Sequence, residues 1–361
     1  MIRIVVIDDS AFMRKAIQLM AESDPDIKVV GMARDGMEGV EMVRNLRPDC
    51  ITLDLEMPRM NGLEALDIIM RDTPTPTLVV SSISTEGAAI TLEALDRGAM
   101  DYIPKTQSFV AIDITSIKEE LVRKIKSIVK QAPTKRKAFM AALERRRKRK
   151  ETMEAGSDES TIIPIAKSLL DKSYSVLAIG VSTGGPPVVQ HILENLPADF
   201  PIGVLVAQHM PATFTKAFAE RLDKLSALEV REAVHGDTVT KGTVLIGKGG
   251  THMVAKRQGT KVRIDMNQRP DGLLYFPSVD LLFSSITSMY GSHTLGVILT
   301  GMGQDGLLGL RDTRKAGGTI VAQDEDTCVV YGMPKAVVDD GIADLVTADV
   351  NMPEVITRLV Q

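Results

Sequence analysis

Twice along this chain, short Val- and Ile-rich runs alternate with stretches of amphipathic helical spacing, and that rhythm leaves few folds open. A parallel strand pair needs a crossover, so strands interleaved with helices imply parallel sheets covered on both faces. The first series has runs at 2–7, 29–32, 50–53, 77–80 and 102–103, with helical patterns such as 37–45 and 63–71 between them. It predicts a five-stranded parallel α/β domain over residues 1–130. The second series has runs at 176–179, 202–207, 243–246, 294–299 and 319–322. It predicts another α/β domain over 173–361, doubly wound and mostly parallel. Residues 241–266 read as consecutive strands and turns, a small antiparallel addition.

Residues 131–172 have a different character. The run Arg145-Arg146-Arg147-Lys148-Arg149-Lys150 is followed by an acidic stretch to Ser160, and too few apolar residues remain to build a core. This segment reads as a charged linker, and a chain of 361 residues accommodates one core on each side of it. The formal net charge of -4 excludes a global attraction to nucleic acid, so a nucleic-acid-binding output would rest on the local basic run alone. Cys50 and Cys328 fall in apolar runs expected to be buried strands, which argues against a disulfide framework or a zinc site. No apolar run of about 18 residues and no cleavable leader pattern is present. The expectation is a cytoplasmic protein without membrane insertion.

Charged residues cluster at strand ends. Asp8 and Asp9 follow the first run and Asp54 follows the third. In an open parallel sheet the carboxyl ends of central strands face one crevice, so these side chains can meet. A hard divalent ion relieves their mutual repulsion, and magnesium suits one or two carboxylates with water and a phosphoryl group. Lys105 after the fifth run supplies a cation, and Ser81 at the end of the fourth strand a hydroxyl for phosphoryl oxygens, with Ser82 as the adjacent alternative. Any one of the aspartates alone reads as a helix cap; the set with the lysine points to a site.

Asp8-Asp9-Ser10, Asp54-Leu55-Glu56-Met57-Pro58, Asn61-Gly62, Ser81 and Lys105 together resemble the response-regulator receiver family over about residues 1–125. The resemblance implies a flavodoxin-like sheet, phosphorylation at Asp54, and Mg2+ held by Asp8, Asp9, Asp54 and the backbone carbonyl of Glu56. Ser81 and Tyr102 would be the switch pair, acting with Lys105. The family lysine is commonly followed by proline, whereas here Pro104 precedes Lys105 and Thr106 follows it.

In the second half, the run at 176–179 leads into Gly180-Val181-Ser182-Thr183-Gly184-Gly185-Pro186-Pro187 and then a helical pattern. Glycines allow a sharp turn and proline suits a first helical turn, so Ser182 is expected at a strand-to-helix corner with its hydroxyl exposed. Unpaired N–H groups at the helix start would face a developing oxyanion. A serine hydroxyl needs a base. Of five histidines, His209 directly follows an apolar run, whereas His191 lies within a helix, and His235, His252 and His293 are read in or near turns. A carboxylate should orient the imidazole, and Asp305 closes the glycine-rich turn after the run at 294–299. The glycines beside Met302 would let its N–H approach a ligand.

Ile179 to Gly185, Gln208-His209-Met210-Pro211, Pro277-Ser278-Val279-Asp280, Leu299 to Gly306 and Tyr331-Gly332-Met333-Pro334 resemble the catalytic domain of the chemotaxis protein-glutamate methylesterases, the CheB family, over about 174–357. The resemblance implies a Ser182–His209–Asp305 triad with an oxyanion N–H from Met302. It implies hydrolysis of glutamyl methyl esters on methyl-accepting chemoreceptors, with deamidation of receptor glutamines and no cofactor for the esterase. A chemotaxis histidine kinase would be the phosphodonor, and the unphosphorylated receiver would cover the catalytic crevice. One departure is Phe276, where the family often has arginine before the proline. The rival reading is a response regulator with a nucleic-acid-binding output. A dinucleotide loop at 180–185 lacks the Gly-x-Gly-x-x-Gly spacing.

Overall fold

The computed structural model describes residues 1–105, 117–130, 164–267 and 275–361. It divides into two units, Met1–Arg136 and Lys137–Gln361. The basic run and the Lys105–Thr106 peptide lie outside, or at the edge of, the described residues.

In the first unit the chain runs β1 (Ile2–Ile7), α1 (Ala11–Ala21), β2 (Ile27–Ala33), α2 (Gly36–Leu46), β3 (Cys50–Asp54), α3 (Gly62–Asp72), β4 (Thr77–Ser82), α4 (Thr85–Asp96) and β5 (Asp101–Lys105). A further helix, α5, covers 117–130. The strands form one parallel sheet of order β2-β1-β3-β4-β5, the five-stranded arrangement expected from the sequence. The winding reverses between β1 and β3, which opens a crevice at their carboxyl ends. Helix starts are set by Ser10, Asp35 and Asn61, whose side chains accept backbone N–H groups of the first turn. Asn61 and Glu64 form a reciprocal capping box.

The second unit contains α6 (Lys167–Leu170), β6 (Val176–Val181), α7 (Gly185–Glu194), β7 (Gly203–Gln208), α8 (Ala212–Leu225), β8 (Glu229–Glu232), β9 (Thr243–Ile246), β10 (His252–Gln258) and β11 (Lys261–Asn267). It continues with α9 (Val279–Tyr290), β12 (Thr294–Ile298), α10 (Leu307–Lys315), β13 (Thr319–Gln323), α11 (Met333–Asp339), β14 (Leu345–Thr347) and α12 (Met352–Val360). Seven strands form a parallel sheet of order β14-β13-β12-β6-β7-β9-β8, reversing between β6 and β12. β10 and β11 pair antiparallel apart from it, the small addition expected. Helix α9 buries Leu282, Phe283 and Ile286 in the core beside Ala178 and Ile298.

Several local expectations need correction. β8 and β14 were not legible because both are short sheet edges; in Glu-Val-Arg-Glu only Val230 is buried. Cys328 is buried, yet it lies in a loop after β13 and not in a strand. Residues 167–170, within the stretch read as linker, form α6, with Leu169 buried and the Tyr174 hydroxyl donating to its carbonyl at 3.1 Å. Among the described residues, no helix is long and apolar enough to cross a membrane.

Candidate active site and metal centre

Strand register assembles the hydroxyl–imidazole pair. β6 ends with Val181 opposite Gln208, the last residue of β7, so Ser182 and His209 emerge side by side. The His209 N–H donates to the Val181 carbonyl at 3.1 Å, and the Ser182 N–H donates to the Thr300 carbonyl at 3.0 Å beyond β12. The Ser182 hydroxyl lies 3.1 Å from His209 Nδ1, and His209 Nε2 lies 2.8 Å from Asp305 Oδ2. A neutral imidazole protonated on Nε2 donates to the carboxylate and turns a lone pair on Nδ1 toward the hydroxyl.

Asp305 is seated on the start of α9. Its Oδ1 accepts the Ser278 hydroxyl at 3.2 Å and the Asp280 N–H at 2.9 Å, while Oδ2 accepts the Val279 N–H at 2.8 Å. Burial works to raise this carboxyl, but the His209 contact and the helix N–H groups hold it below the usual range. Asp280 returns the arrangement, its Oδ1 accepting the N–H groups of Gly306 and Gly309 at 2.9 Å each at the start of α10. Burial raises the Asp280 carboxyl; those N–H groups oppose the rise and the Asp305 charge adds to it.

The corner at Ser182 rests on buried polar groups. Gln208 Nε2 donates to the carbonyls of Ser182 at 3.0 Å and His209 at 3.2 Å. The Thr300 hydroxyl donates to the Thr183 carbonyl at 2.9 Å, and its N–H donates to Gln323 Oε1 at 2.8 Å. Met302 is half-buried in the next turn. That turn lies against Ser182 only because Gly301 has no side chain: a Cβ there would sit 2.8 Å from Ser182 Cβ.

Two aromatic rings border the site. Tyr275 stacks on His209 with centroids 4.2 Å apart and planes 6° apart, and Phe276 tilts against His252 at 4.6 Å. His252 directly follows a turn, as expected, but it opens β10, is fully buried, and accepts the Ser278 N–H on Nδ1 at 3.1 Å. His191 is half-buried with Nε2 3.5 Å from the Val350 carbonyl, and His235 and His293 are exposed. Sequence reading assigned no role to Gln208, Ser278, Asp280, His252 or Tyr275. Ser278 and Asp280 carry a usable signal as paired cap-type residues before a helical run; Tyr275 carries none.

In the first unit, Ile7 pairs with Leu53, which leaves Asp8 beside Asp54. Asp54 and Lys105 are the last residues of β3 and β5 rather than lying just beyond them, and Ser81 stands at the end of β4 as expected. One carboxylate oxygen from each of Asp8, Asp9 and Asp54 lies within 4.8 Å of the other two. Asp8 and Asp54 are buried and Asp9 is exposed. Lys105 Nζ is 2.7 Å from Asp54 Oδ2 and 3.0 Å from Asp8 Oδ2. Burial pushes the Asp54 carboxyl up to about 6, the Lys105 ammonium opposing and the Asp8 charge adding. A compact set of hard oxygens with excess negative charge fits a divalent cation. The Arg14 guanidinium donates to the carbonyls of Asp8 at 2.7 Å and Asp9 at 3.0 Å, tying down this loop. A Cβ on Gly62 would come within 2.1 Å of the Asp54 carbonyl oxygen, so only glycine lets α3 start this close. Glu56 donates its N–H to Asp54 Oδ1 at 3.3 Å. Ser81 is buried and accepts the Thr91 hydroxyl at 2.5 Å, whereas Ser82 is half-buried beside Ser84. Tyr102 is buried, which raises its phenol well above the ordinary value, and the Lys124 ammonium lies 5.3 Å from its ring centroid.

Residues 177–356 match the family model described as CheB methylesterase, and residues 4–114 match the response regulator receiver domain. A protein-glutamate methylesterase/protein-glutamine glutaminase of Oleidesulfovibrio alaskensis is 45% identical over 371 residues, covering 100% of both chains. One from Pyrococcus abyssi is 40% identical over 360 residues, covering 100% of this chain and 94% of its own. The crystal structure of the Thermotoga maritima CheB methylesterase catalytic domain is 42% identical with a TM-score of 0.51, covering 52% of this chain and 100% of that one. With both halves matched in this order, the chain belongs to the CheB methylesterase family, in the form that carries an N-terminal receiver domain.

Proposed function

We propose that this protein hydrolyses glutamyl methyl esters on methyl-accepting chemoreceptors and deamidates receptor glutamines by the same chemistry. The observation that carries the reading is the unbroken chain from the Ser182 hydroxyl through His209 to Asp305, at 3.1 and 2.8 Å. Ser182 attacks the ester carbonyl as His209 Nδ1 takes its proton, and Asp305 keeps the opposite nitrogen protonated and stabilises the imidazolium. The Met302 N–H stabilises the oxyanion. The alkoxide leaves as methanol, or the amide nitrogen as ammonia, with the proton His209 carried. Water, deprotonated by His209, then cleaves the acyl-enzyme, and the receptor side chain gains a negative charge. The lowered pKa of Asp305, held down against burial by the His209 contact and the helix N–H groups, supports its role as a permanent anion. The esterase chemistry requires no cofactor.

Control passes through Asp54, which accepts a phosphoryl group from a chemotaxis histidine kinase. Asp8, Asp9 and Asp54, with the Glu56 carbonyl, would hold Mg2+, which when bound neutralises charge on the phosphoryl oxygens. Lys105 takes part in that neutralisation, and Ser81 and Tyr102 respond to the new charge as the switch pair. The reaction belongs in the cytoplasm, in keeping with two buried free cysteines. The test is methanol release from methylated receptor membranes by the full chain, with and without a small phosphodonor. Ser182→Ala is expected to lower the rate by about 10⁴-fold or more. A full rate in that variant would remove Ser182 as nucleophile, and salt-sensitive DNA binding without esterase activity would favour a nucleic-acid output instead.

A further inference from the structure

The edges of the His209 ring are both committed, Nδ1 to Ser182 and Nε2 to Asp305. Both contacts lie in the plane of the ring, so they resist tilting about the Cβ–Cγ bond less than a group packed flat on the ring face does. Tyr275 occupies such a position, with planes 6° from parallel and centroids 4.2 Å apart.

We propose that Tyr275 is a positioning residue for the hydrolysis, its ring fixing the His209 imidazole and favouring the imidazolium formed as the proton leaves Ser182. The proposal rests on the reading of His209 as general base. The π face of a neutral aromatic ring is electron-rich and attracts a cation laid over it, so the stack strengthens when the imidazole gains its proton. That is stabilisation gained at the transition state more than in the resting enzyme, and it belongs to kcat.

Tyr275 is itself held by its neighbours. Phe276 packs on the fully buried His252, His252 accepts the Ser278 N–H, and the Ser278 hydroxyl donates to Asp305. Residues 275–278 therefore reach the imidazole face and the carboxylate that orients its edge at once. The Tyr275 side chain also spans toward the glycine turn beside Met302: a Cβ added at Gly303 would lie 3.7 Å from its hydroxyl oxygen. The argument needs only the ring, so phenylalanine should replace tyrosine and leucine should not.

The experiment compares the full chain with Tyr275→Phe and Tyr275→Leu on methylated receptor membranes, separating kcat from KM. Leucine is expected to lower kcat about tenfold with KM within about twofold, and phenylalanine to keep kcat within about twofold. In parallel, the ring C–H resonances of His209 should be shifted upfield in the wild type and in Tyr275→Phe, and return downfield in Tyr275→Leu. Four outcomes would overturn the proposal: an unchanged kcat in Tyr275→Leu, a loss confined to KM, a phenylalanine variant as slow as the leucine one, or no ring-current shift in the wild type. A wild-type chain that hydrolyses no ester defeats the reading of the site itself. An active wild type with an indifferent Tyr275→Leu defeats only the role of Tyr275.

Discussion

His252 has to stay neutral, because the lone pair that accepts the Ser278 N–H is the one a second proton would take. Burial lowers its pKa from the ordinary 6.5, and the Asp305 charge only partly opposes that. The unfolded chain therefore binds a proton near pH 6.5 that the folded chain refuses. Its contribution to stability is complete above that pH and declines as the pH falls from there toward the lower folded value. The thermal midpoint should accordingly drop more between pH 7 and pH 5 in the wild type than in His252→Gln; parallel slopes would deny His252 that role. Ser182, His209 and Asp305 were legible as candidates because each follows an apolar run at a strand end or its turn. His252 was passed over by the same logic, since it begins a strand of the hairpin outside the main sheet. Tyr275 was beyond reach because stacking pairs residues by their distance in space, which no local pattern records.

Among the elements, α9 and α10 exchange caps. The first N–H groups of α9 reach Asp305, just before α10, and those of α10 reach Asp280, just inside α9. Each helix start thus anchors the other, and the carboxylate facing His209 is part of the anchor. Asp280→Ala would leave the Gly306 and Gly309 N–H groups without their acceptor. The expected loss is about 1–3 kcal/mol in the denaturant transition of the second unit, with a smaller loss for Asp280→Asn, which keeps an oxygen. Equal losses in the two variants would assign the effect to charge and not to capping. Elements with strong apolar runs were readable, with strand ends off by one to a few residues. The edge strands β8 and β14 were not, because an edge has too little buried surface to demand an apolar run.

At the scale of the whole molecule, each unit has its own parallel sheet and its own reversal in strand order, β1/β3 in one and β6/β12 in the other. The acidic cluster stands at the first reversal, and Ser182 after β6 and Asp305 beyond β12 flank the second, where neighbouring strands send their loops apart and leave a crevice. On the proposed reading, phosphorylation at Asp54 acts on the esterase only by favouring an uninhibited arrangement over an inhibited one. Deleting residues 1–150 is therefore expected to raise basal methanol release; an unchanged or slower rate in a folded fragment would argue against inhibition by the receiver. The sequence alone determined two parallel α/β units, the strand ends that carry the charged and nucleophilic groups, and the family, because burial forces apolar runs and sharp turns force glycine at fixed spacings. Only the tertiary structure decided which strands lie side by side, and through register which side chains come within proton-transfer distance. It also decided the seat of Asp305 on α9, the neutral environment of His252 and the ring over His209, since these contacts join residues remote in the chain and depend on packing rather than on local preference.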